Sequence, residues 1–289
     1  LRLVTFKIWF APGDALVSTA AIRDLNLTYP FEFQTSVISC YPEVFYNNPY
    51  ISKGHNQWGV IELNPFEWKS KYQNSGAHYS DAYYYLIEKY LNVKIKKTSI
   101  FPEIYLTDEE KDINILKRFG VEKPYWVINA GFKNDIPLKQ YPAPFWQQVI
   151  NKLKINYNFD CDIVQSGSSH HVHYPMHSVN NLIGKTDNIR DYFSLIYHSE
   201  GVICHVSFPM HIAAAFHKPC VVIAGGRESV RWEQYPGHQY LHTIGQLNCC
   251  SESGCWKSNF DECTNFSKFP TCYTLITPDR VVDSVLNYP

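Results

Sequence analysis

Apolar runs alternate with amphipathic stretches along most of the chain. The opening "RLVTFKIWFA" is apolar and rich in β-formers, which predicts a strand, and "PGD" breaks it. "ALVSTAAIRDLNLTYP" follows, with Leu16, Val17, Ala20, Ala21 and Leu25 at helical spacing before Pro30. "TSVISC" and "WGVIEL" read as further strands, and "DAYYYLIEKYLNV" as a helix. "DEEKDINILKRFG" reads as another helix, acidic at its start, basic at its end and stopped by Gly120.

The same alternation then restarts. "YWVINAG", "CDIVQSG", "GVICHV" and "PCVVIAGG" predict strands. Between them "PAPFWQQVINKL", "NIRDYFSLIYHS" and "PMHIAAAF" predict helices, the first with Phe145, Trp146, Val149, Ile150 and Leu153 on its apolar side. Strands alternating with helices imply an α/β fold of right-handed crossovers and mostly parallel sheets. Two such halves predict two Rossmann-like lobes. The polar stretch around Gly120–Pro124 is the expected boundary, giving domains 1–120 and 121–289.

In open α/β sheets, ligands bind beyond the carboxyl ends of the strands. That rule selects "APGD", "AGFKNDIPLK", "QSGSSHH", "HVSFPMH" and "AGGRES". Pro209 suits a first helical turn, and Ser207 just upstream is expected to cap the free amides. Such a helix start is an anion site fit for a phosphate, with Met210 beside it and His211 close enough to face it. Gly226 lets a backbone approach a ligand closely. Arg227 is expected to pair with a diphosphate and Glu228 with sugar or ribose hydroxyls. Each residue taken singly also fits a plain buried βαβ unit. "GKT" at Gly184–Thr186 is not a phosphate-binding P-loop, because the glycine spacing and element order are wrong. His170, His171, His173 and His177 read as a solvated or ligand-adjacent loop, and His78 as a residue facing an acceptor or simply a polar helix start.

Composition narrows the partners. A net charge of −1 and a pI near 6.9 argue against a general nucleic-acid binder. No apolar run is long enough for a transmembrane segment. The first residues lack a secretory-signal layout and an initiator Met, so a trimmed or mature, cytoplasmic chain is expected. Of nine cysteines, Cys40, Cys161, Cys204 and Cys220 sit singly in apolar settings and read as buried thiols. The other five fall within residues 249–272, where a metal knot, reduced thiols or a disulfide clasp are all open. For a metal, Cys250, Cys255, Cys263 and Cys272 are the expected ligands, with Cys249 as substitute for Cys250 and zinc as the default.

Four stretches carry a resemblance to the family 9 glycosyltransferases, the ADP-heptose:lipopolysaccharide heptosyltransferases. They are "APGDALVSTAAIRDLNLTYP", "NAGFKNDIPLKQYPAPFWQQVINKL", "NLIGKTDNIRDYFSLIYHSEGVICHVSFPMHIAAAFHKPCVVIAGG" and "RESVRWEQYPGHQYLHTIGQLNCCSESGCWKS" with "CYTLITPDRVV". The last is similar to a cysteine-bearing subgroup, which brings structural iron in beside zinc. The resemblance implies a GT-B fold whose N-terminal lobe takes an acceptor and whose C-terminal lobe takes a nucleotide-sugar. It implies inverting transfer without a catalytic cofactor, from a nucleotide-sugar such as ADP-heptose to a hydroxyl on a glycan or protein, as in lipopolysaccharide biosynthesis. Gly13 and Asp14 match the family's Gly-Asp turn, which makes Asp14 the base, although an Asp at a helix start is also a common cap. Lys139 matches the Lys-x-aromatic-Pro turn and implies contact with the diphosphate, with Lys133 as a nearby competitor. Val206 and Phe208 replace an Asp and a Gly found in many relatives. The alternative is a non-catalytic nucleotide- or glycan-binding protein of the same fold. A nicotinamide-dependent epimerase or dehydrogenase is disfavoured, since no G-x-G-x-x-G follows the first strand.

Overall fold

The computed structural model describes residues 1–53, 59–68, 76–122, 124–251 and 253–288. The first sheet has three parallel strands, β1 (Arg2–Ile8), β2 (Phe33–Ser39) and β3 (Val60–Glu62), in the order β2-β1-β3. Trp58, read as part of the third strand, lies outside the described residues. Helix α1 (Pro12–Thr28) crosses between β1 and β2 and is buried nearly all round over its first half. Such a helix needs apolar or small residues on every side, and "ALVSTAAI" supplies them. Helix α2 (Asp81–Leu91) buries Tyr83, Leu86 and Ile87 at helical spacing and stops at Asn92 in a left-handed conformation.

The second sheet has six parallel strands: β4 (Tyr125–Asn129), β5 (Asp162–Gln165), β6 (Asn180–Asn181), β7 (Gly201–His205), β8 (Cys220–Gly225) and β9 (Gln239–His242). Their order is β6-β5-β4-β7-β8-β9. β7 and β8 are buried at every position, as expected of central parallel strands covered on both faces. On one face α3 (Ala143–Ile155) lays Trp146, Val149, Ile150 and Leu153 against Trp126, Ile128, Ile163 and Ile203. At roughly 1.5–3 kcal/mol for each fully buried large apolar side chain, that layer is a substantial share of the lobe's stability. On the other face α4 (Ile189–Tyr197) and α5 (Phe208–Ala215) join a core that continues into the first lobe through Leu16 and Ile22 of α1 and Phe6 of β1.

The lobes are also tied by polar contacts. The Arg190 guanidinium on α4 bonds Glu110 (2.6 Å) and the carbonyls of Tyr105 (2.6 Å) and Glu43 (3.1 Å). This clasp explains one departure from expectation. Residues 108–120 do not form an α-helix but turns and a 3₁₀ segment over Ile113–Phe119. The Thr107 amide donates to Glu110, the Glu110 amide donates to the Thr107 hydroxyl, and the Glu110 carbonyl accepts from Ser194. The Thr107–Glu110 pair is a local capping box, but the Glu110 carbonyl and carboxylate are taken by the tertiary partners Ser194 and Arg190.

Other elements escaped the hydrophobic pattern: β6, β9, the short helices α6 (Val230–Glu233) and α7 (Thr271–Thr274), and α8 (Pro278–Leu286). All nine cysteines are free, but Cys40 is exposed and Cys161 half-buried, so only Cys204 and Cys220 of the four single thiols are core residues.

Each sheet has one place where successive connections run in opposite directions. In the first it lies between β1 and β3, and in the second between β4 and β7. Crevices open beyond the carboxyl ends of strands at such points.

Candidate active site

Beyond those two switch points lies one cavity of about 630 Å³, lined from both lobes. That volume is in the usual range for a small-molecule site. The first lobe contributes Ala11–Asp14 and Tyr79; the second contributes Lys133, Lys139, Val206–Pro209, His211, Arg227 and Glu228. The approach is closest where α1 meets α5. A methyl group on Gly13 would lie 3.0 Å from the His211 ring, so glycine here allows contact between lobes and not the tight turn expected of it. Its φ is not positive; it sits inside the first turn of α1.

Asp14 is the third residue of α1, not its cap. Its carboxylate reaches back to the Ala11 amide (3.0 Å) and accepts from the Tyr79 hydroxyl (2.5 Å). Burial pushes its pKa above the ordinary carboxylate value. Tyr79, the Ala11 amide, Lys139 and Lys133 pull the other way. Burial also keeps the Tyr79 phenol protonated, with the Asp14 charge adding to the effect, so the hydroxyl is a donor. The result is an oriented carboxyl of raised basicity at the cavity wall, the combination a general base requires.

Lys139, on the loop after β4, faces it from the other lobe. Its ammonium bonds the Val206 carbonyl (3.0 Å) and Glu228 (2.6 Å). Glu228 is 1% exposed at its side chain and is also bonded to Arg227. Opposed by burial, Arg227 and Lys139 hold its carboxyl below the ordinary value. Arg227 is committed to the Lys257 carbonyl (2.6 Å), the Ser258 hydroxyl (3.1 Å) and Glu228. It reaches the cavity as part of this network rather than as a free cation.

Ser207 takes the N-cap position of α5, but its hydroxyl donates to the His205 carbonyl (3.1 Å) and caps no amide. The expected side-chain cap is therefore absent; Pro209 has no amide hydrogen and the Met210 amide donates to the Ser207 carbonyl (3.0 Å). His211 bonds Tyr235 through Nδ1 (2.9 Å), and burial pushes its pKa down to about 3.

Three expected residues lie elsewhere. Met210 is fully buried in the core. Gly226 does not line the cavity but backs it, where a methyl group would meet the Cys250 sulfur at 2.8 Å. His78 is buried against Tyr235 with Nδ1 on the Ser80 hydroxyl (3.0 Å), outside the cavity lining, so it does not face an acceptor.

The expected metal knot is likewise not formed by the residues as placed. Cys250, Cys255 and Cys263 all raise the Cys272 pKa, which burial above all pushes up to about 12. Yet Cys250 donates to the carbonyls of Thr243 (3.3 Å) and Leu247 (3.5 Å), as a neutral thiol does. Among the described residues no group of three or more His, Cys, Asp or Glu could hold a metal ion. The Cys250, Cys255, Cys263 and Cys272 set expected for zinc or iron is therefore not gathered as a ligand group among the described residues.

Several lining residues were not singled out from the sequence, among them Tyr79, Trp232, Glu233 and Trp256. Trp232 stacks on Trp68 (5.4 Å), tilts over Tyr79 (5.5 Å) and meets Trp256 edge-on (5.8 Å). Trp256 holds a positive φ of 54°, a conformation costing a bulky residue on the order of 1–3 kcal/mol, and so carries the cysteine-rich segment to the cavity. Glu233 ends α6, whose Ser229 cap accepts from the Trp232 amide. Burial, then Glu228, with a smaller push from Asp14, raises its pKa to about 8 against the pull of Lys139 and Arg227. A Ser cap followed by Trp and Glu was the available signal. His170 and His171 do reach the cavity, while the His173 ring fills the space over Gly131 and Gly167.

Comparison with known proteins agrees with this geometry. The model of glycosyltransferase family 9 (heptosyltransferase) matches residues 65–257, more than half of the chain. The ADP-heptose lipopolysaccharide heptosyltransferase II of E. coli superposes with a TM-score of 0.63 at 15% identity, covering 98% of this chain and 97% of that one. A family 9 glycosyl transferase from Veillonella parvula DSM 2008 gives 0.68 at 14%, covering 98% and 96%. The iron-containing dodecameric glycosyltransferase TibC from enterotoxigenic E. coli H10407 gives 0.64 at 14%, covering 99% and 76%. No curated protein matches by sequence. Among the described residues no helix is long and apolar enough to cross a membrane. The fold is thus of the GT-B type, and the chain belongs to glycosyltransferase family 9.

Proposed function

We propose that this protein is an inverting glycosyltransferase that moves a sugar from a nucleotide-sugar, heptose from ADP-heptose in the most specific form, to a hydroxyl on a glycan or protein. The supporting observation is that Asp14 from the first lobe and Lys139 from the second line a single cavity, near enough for the lysine charge to act on the carboxyl. Inversion needs a base and a leaving group on opposite faces of the anomeric carbon. Asp14 takes the proton of the acceptor hydroxyl as its oxygen bonds C1, and the C1–O bond to the diphosphate breaks with its electrons leaving on phosphate. Lys139, Lys133 and the positive end of α5 offset that charge, an electrostatic role typically worth several kcal/mol of barrier. The first lobe then takes the acceptor and the second, from about residue 121, the donor. Nine unpaired thiols favour a cytoplasmic setting, where nucleotide-sugars are made.

The test is calorimetric screening of the protein against ADP-, GDP- and UDP-sugars, followed by transfer assays with Asp14→Asn. The expected result is that one nucleotide series binds, and that Asp14→Asn still binds it but loses transfer by at least about a hundredfold. Transfer that survives Asp14→Asn, or a protein that binds none of the three series, rejects the assignment.

A further inference from the structure

Three acids line the cavity, and their surroundings differ in kind. Asp14 accepts two hydrogen bonds and Glu228 is bonded to two cations, so both have groups that favour the charged form. Glu233 has neither. Among the described residues no hydrogen bond or ion pair reaches its carboxyl, and its Oε2 is buried without a partner, although the residue is only 7% exposed. Among the described residues the only buried carboxylate oxygens without a partner are Oε2 of Glu233 and Oε2 of Glu228, both on the cavity lining; an unmade bond of this kind costs about 1–3 kcal/mol, which a ligand in the cavity would relieve.

We infer that Glu233 reads the transferred sugar as a neutral acid, its carboxyl O–H donating to a sugar hydroxyl of the bound nucleotide-sugar. The inference rests on the donor site proposed above. Placement supports it. Glu233 lines the same cavity as Asp14, Glu228 and Lys139 and is near enough to feel the charge of each, so it shares the cavity with the proposed base and diphosphate holders, where a transferred sugar must sit. The helix fixes it there, with the Glu233 amide bonded to the Ser229 carbonyl (3.3 Å) and Trp232 packed among three aromatic rings.

The charges around it keep the proton on. The acids Asp14 and Glu228 disfavour a third negative charge, and the cations Lys139 and Arg227 only partly offset them. The other titratable neighbours are neutral: Tyr79, Tyr235 and Tyr240 keep their protons, and His78 is pushed down to about 4 by burial. A pKa near 8 leaves the acid mostly protonated at neutral pH. A neutral acid can donate to a hydroxyl without repelling the adjacent diphosphate, which a carboxylate could not.

The experiment is calorimetry on the full chain with the pairs ADP and ADP-heptose, GDP and GDP-mannose, and UDP and UDP-glucose, at pH 6.5, 7.5 and 9. The quantity read is the affinity gained from the sugar, as the ratio within a pair. In wild type that gain should fall as pH rises through about 8, where Glu233 ionises. Glu233→Gln, which keeps a neutral donor, should retain the gain within about twofold and lose its pH dependence. Glu233→Leu should lose the gain about tenfold while diphosphate binding is unchanged. If Glu233→Leu does not fold, the wild-type and Glu233→Gln pH series decide alone. An unchanged gain in Glu233→Leu, a gain in wild type that does not fall with pH, or a loss shared equally by the bare diphosphates overturns the inference and leaves the transferase reading intact. A wild-type protein that binds none of the six compounds overturns both.

Discussion

The Tyr79 hydroxyl donates to the Asp14 carboxylate at 2.5 Å. This bond is the largest of the four interactions that oppose the burial making Asp14 a stronger base, ahead of the Ala11 amide, Lys139 and Lys133. Hydrogen bonds to a charged group are worth about 1.5–3 kcal/mol, or roughly one to two pKa units. In Tyr79→Phe, the acid limb of the transfer rate should therefore move to higher pH by about one unit, with the plateau less affected. A pH–rate profile checks this, and superimposable acid limbs would refute it.

Lys139 pairs with Glu228 and, in the proposed reaction, with the diphosphate, and a substitution should separate the two. With Lys139→Met, Glu228 keeps only Arg227 as a counter-charge, and breaking a buried pair costs about 3 kcal/mol or more. The Lys139–Glu228 pair is only partly buried on the lysine side, so the lower end applies. Glu228→Gln added to Lys139→Met should recover much of that stability without recovering diphosphate affinity. Urea denaturation and calorimetry read the two quantities. Parallel recovery of both would mean that Lys139 acts on phosphate only through Glu228.

Gly13→Ala tests the contact between lobes. Helix propensity alone would favour Ala by about 1 kcal/mol. Here the added methyl would stand 3.0 Å from the His211 ring and 3.8 Å from the Phe208 backbone. The expected outcome is little net change in melting temperature but a transfer rate lowered about tenfold, because α1 carries Asp14 away from α5. A rate equal to wild type would show that the helix start tolerates the shift.

Much of this site was legible because it sits at strand ends, where the chain must switch from a buried apolar run to a helix start. "APGD" and "HVSFPMH" advertise that switch in their composition, and the strand order then places Asp14 and Lys139 at opposed crevices. The partners of those residues were not legible. Tyr79 meets Asp14 across 65 residues, and nothing local distinguishes its ring from the neighbouring tyrosines of α2. The failure at Ser207 is similar: position alone names it a cap, while the His205 carbonyl two residues back competes for its hydroxyl. The helix expected over 108–120 had good propensity and charge order, and lost to the tertiary clasp at Glu110 and Arg190. Cysteine spacing indicated clustering correctly but not the geometry a metal requires.

The buried titratable groups around the cavity make stability depend on pH in two opposed ways. His78, His205 and His238 have pKa values pushed down to about 4 by burial, and His211 to about 3. Unfolded, each would titrate near 6.5, so from about 6.5 down to about 4 the unfolded chain binds more protons and stability falls with acid. Glu233 acts with the opposite sign. Its folded pKa of about 8 lies above the unfolded value of 4.5, so its contribution is full below 4.5 and is lost as pH rises to about 8. Asp14, also raised, works in the same direction as Glu233. Below 6.5 the four histidines outweigh the two acids; between 6.5 and 8 the histidines are neutral in both states and Glu233 dominates. Maximum stability is therefore expected near pH 6.5. Each group contributes up to about 1.4 kcal/mol per pH unit within its window. Among the described residues His238 has no partner on either ring nitrogen, so His238→Phe should flatten the acid side by about one group's share, and Glu233→Gln should flatten the alkaline side. Urea titrations at half-unit intervals from pH 5 to 8 measure both slopes. A wild-type stability that rises steadily up to pH 8 would show that Glu233 is ionised in the folded protein.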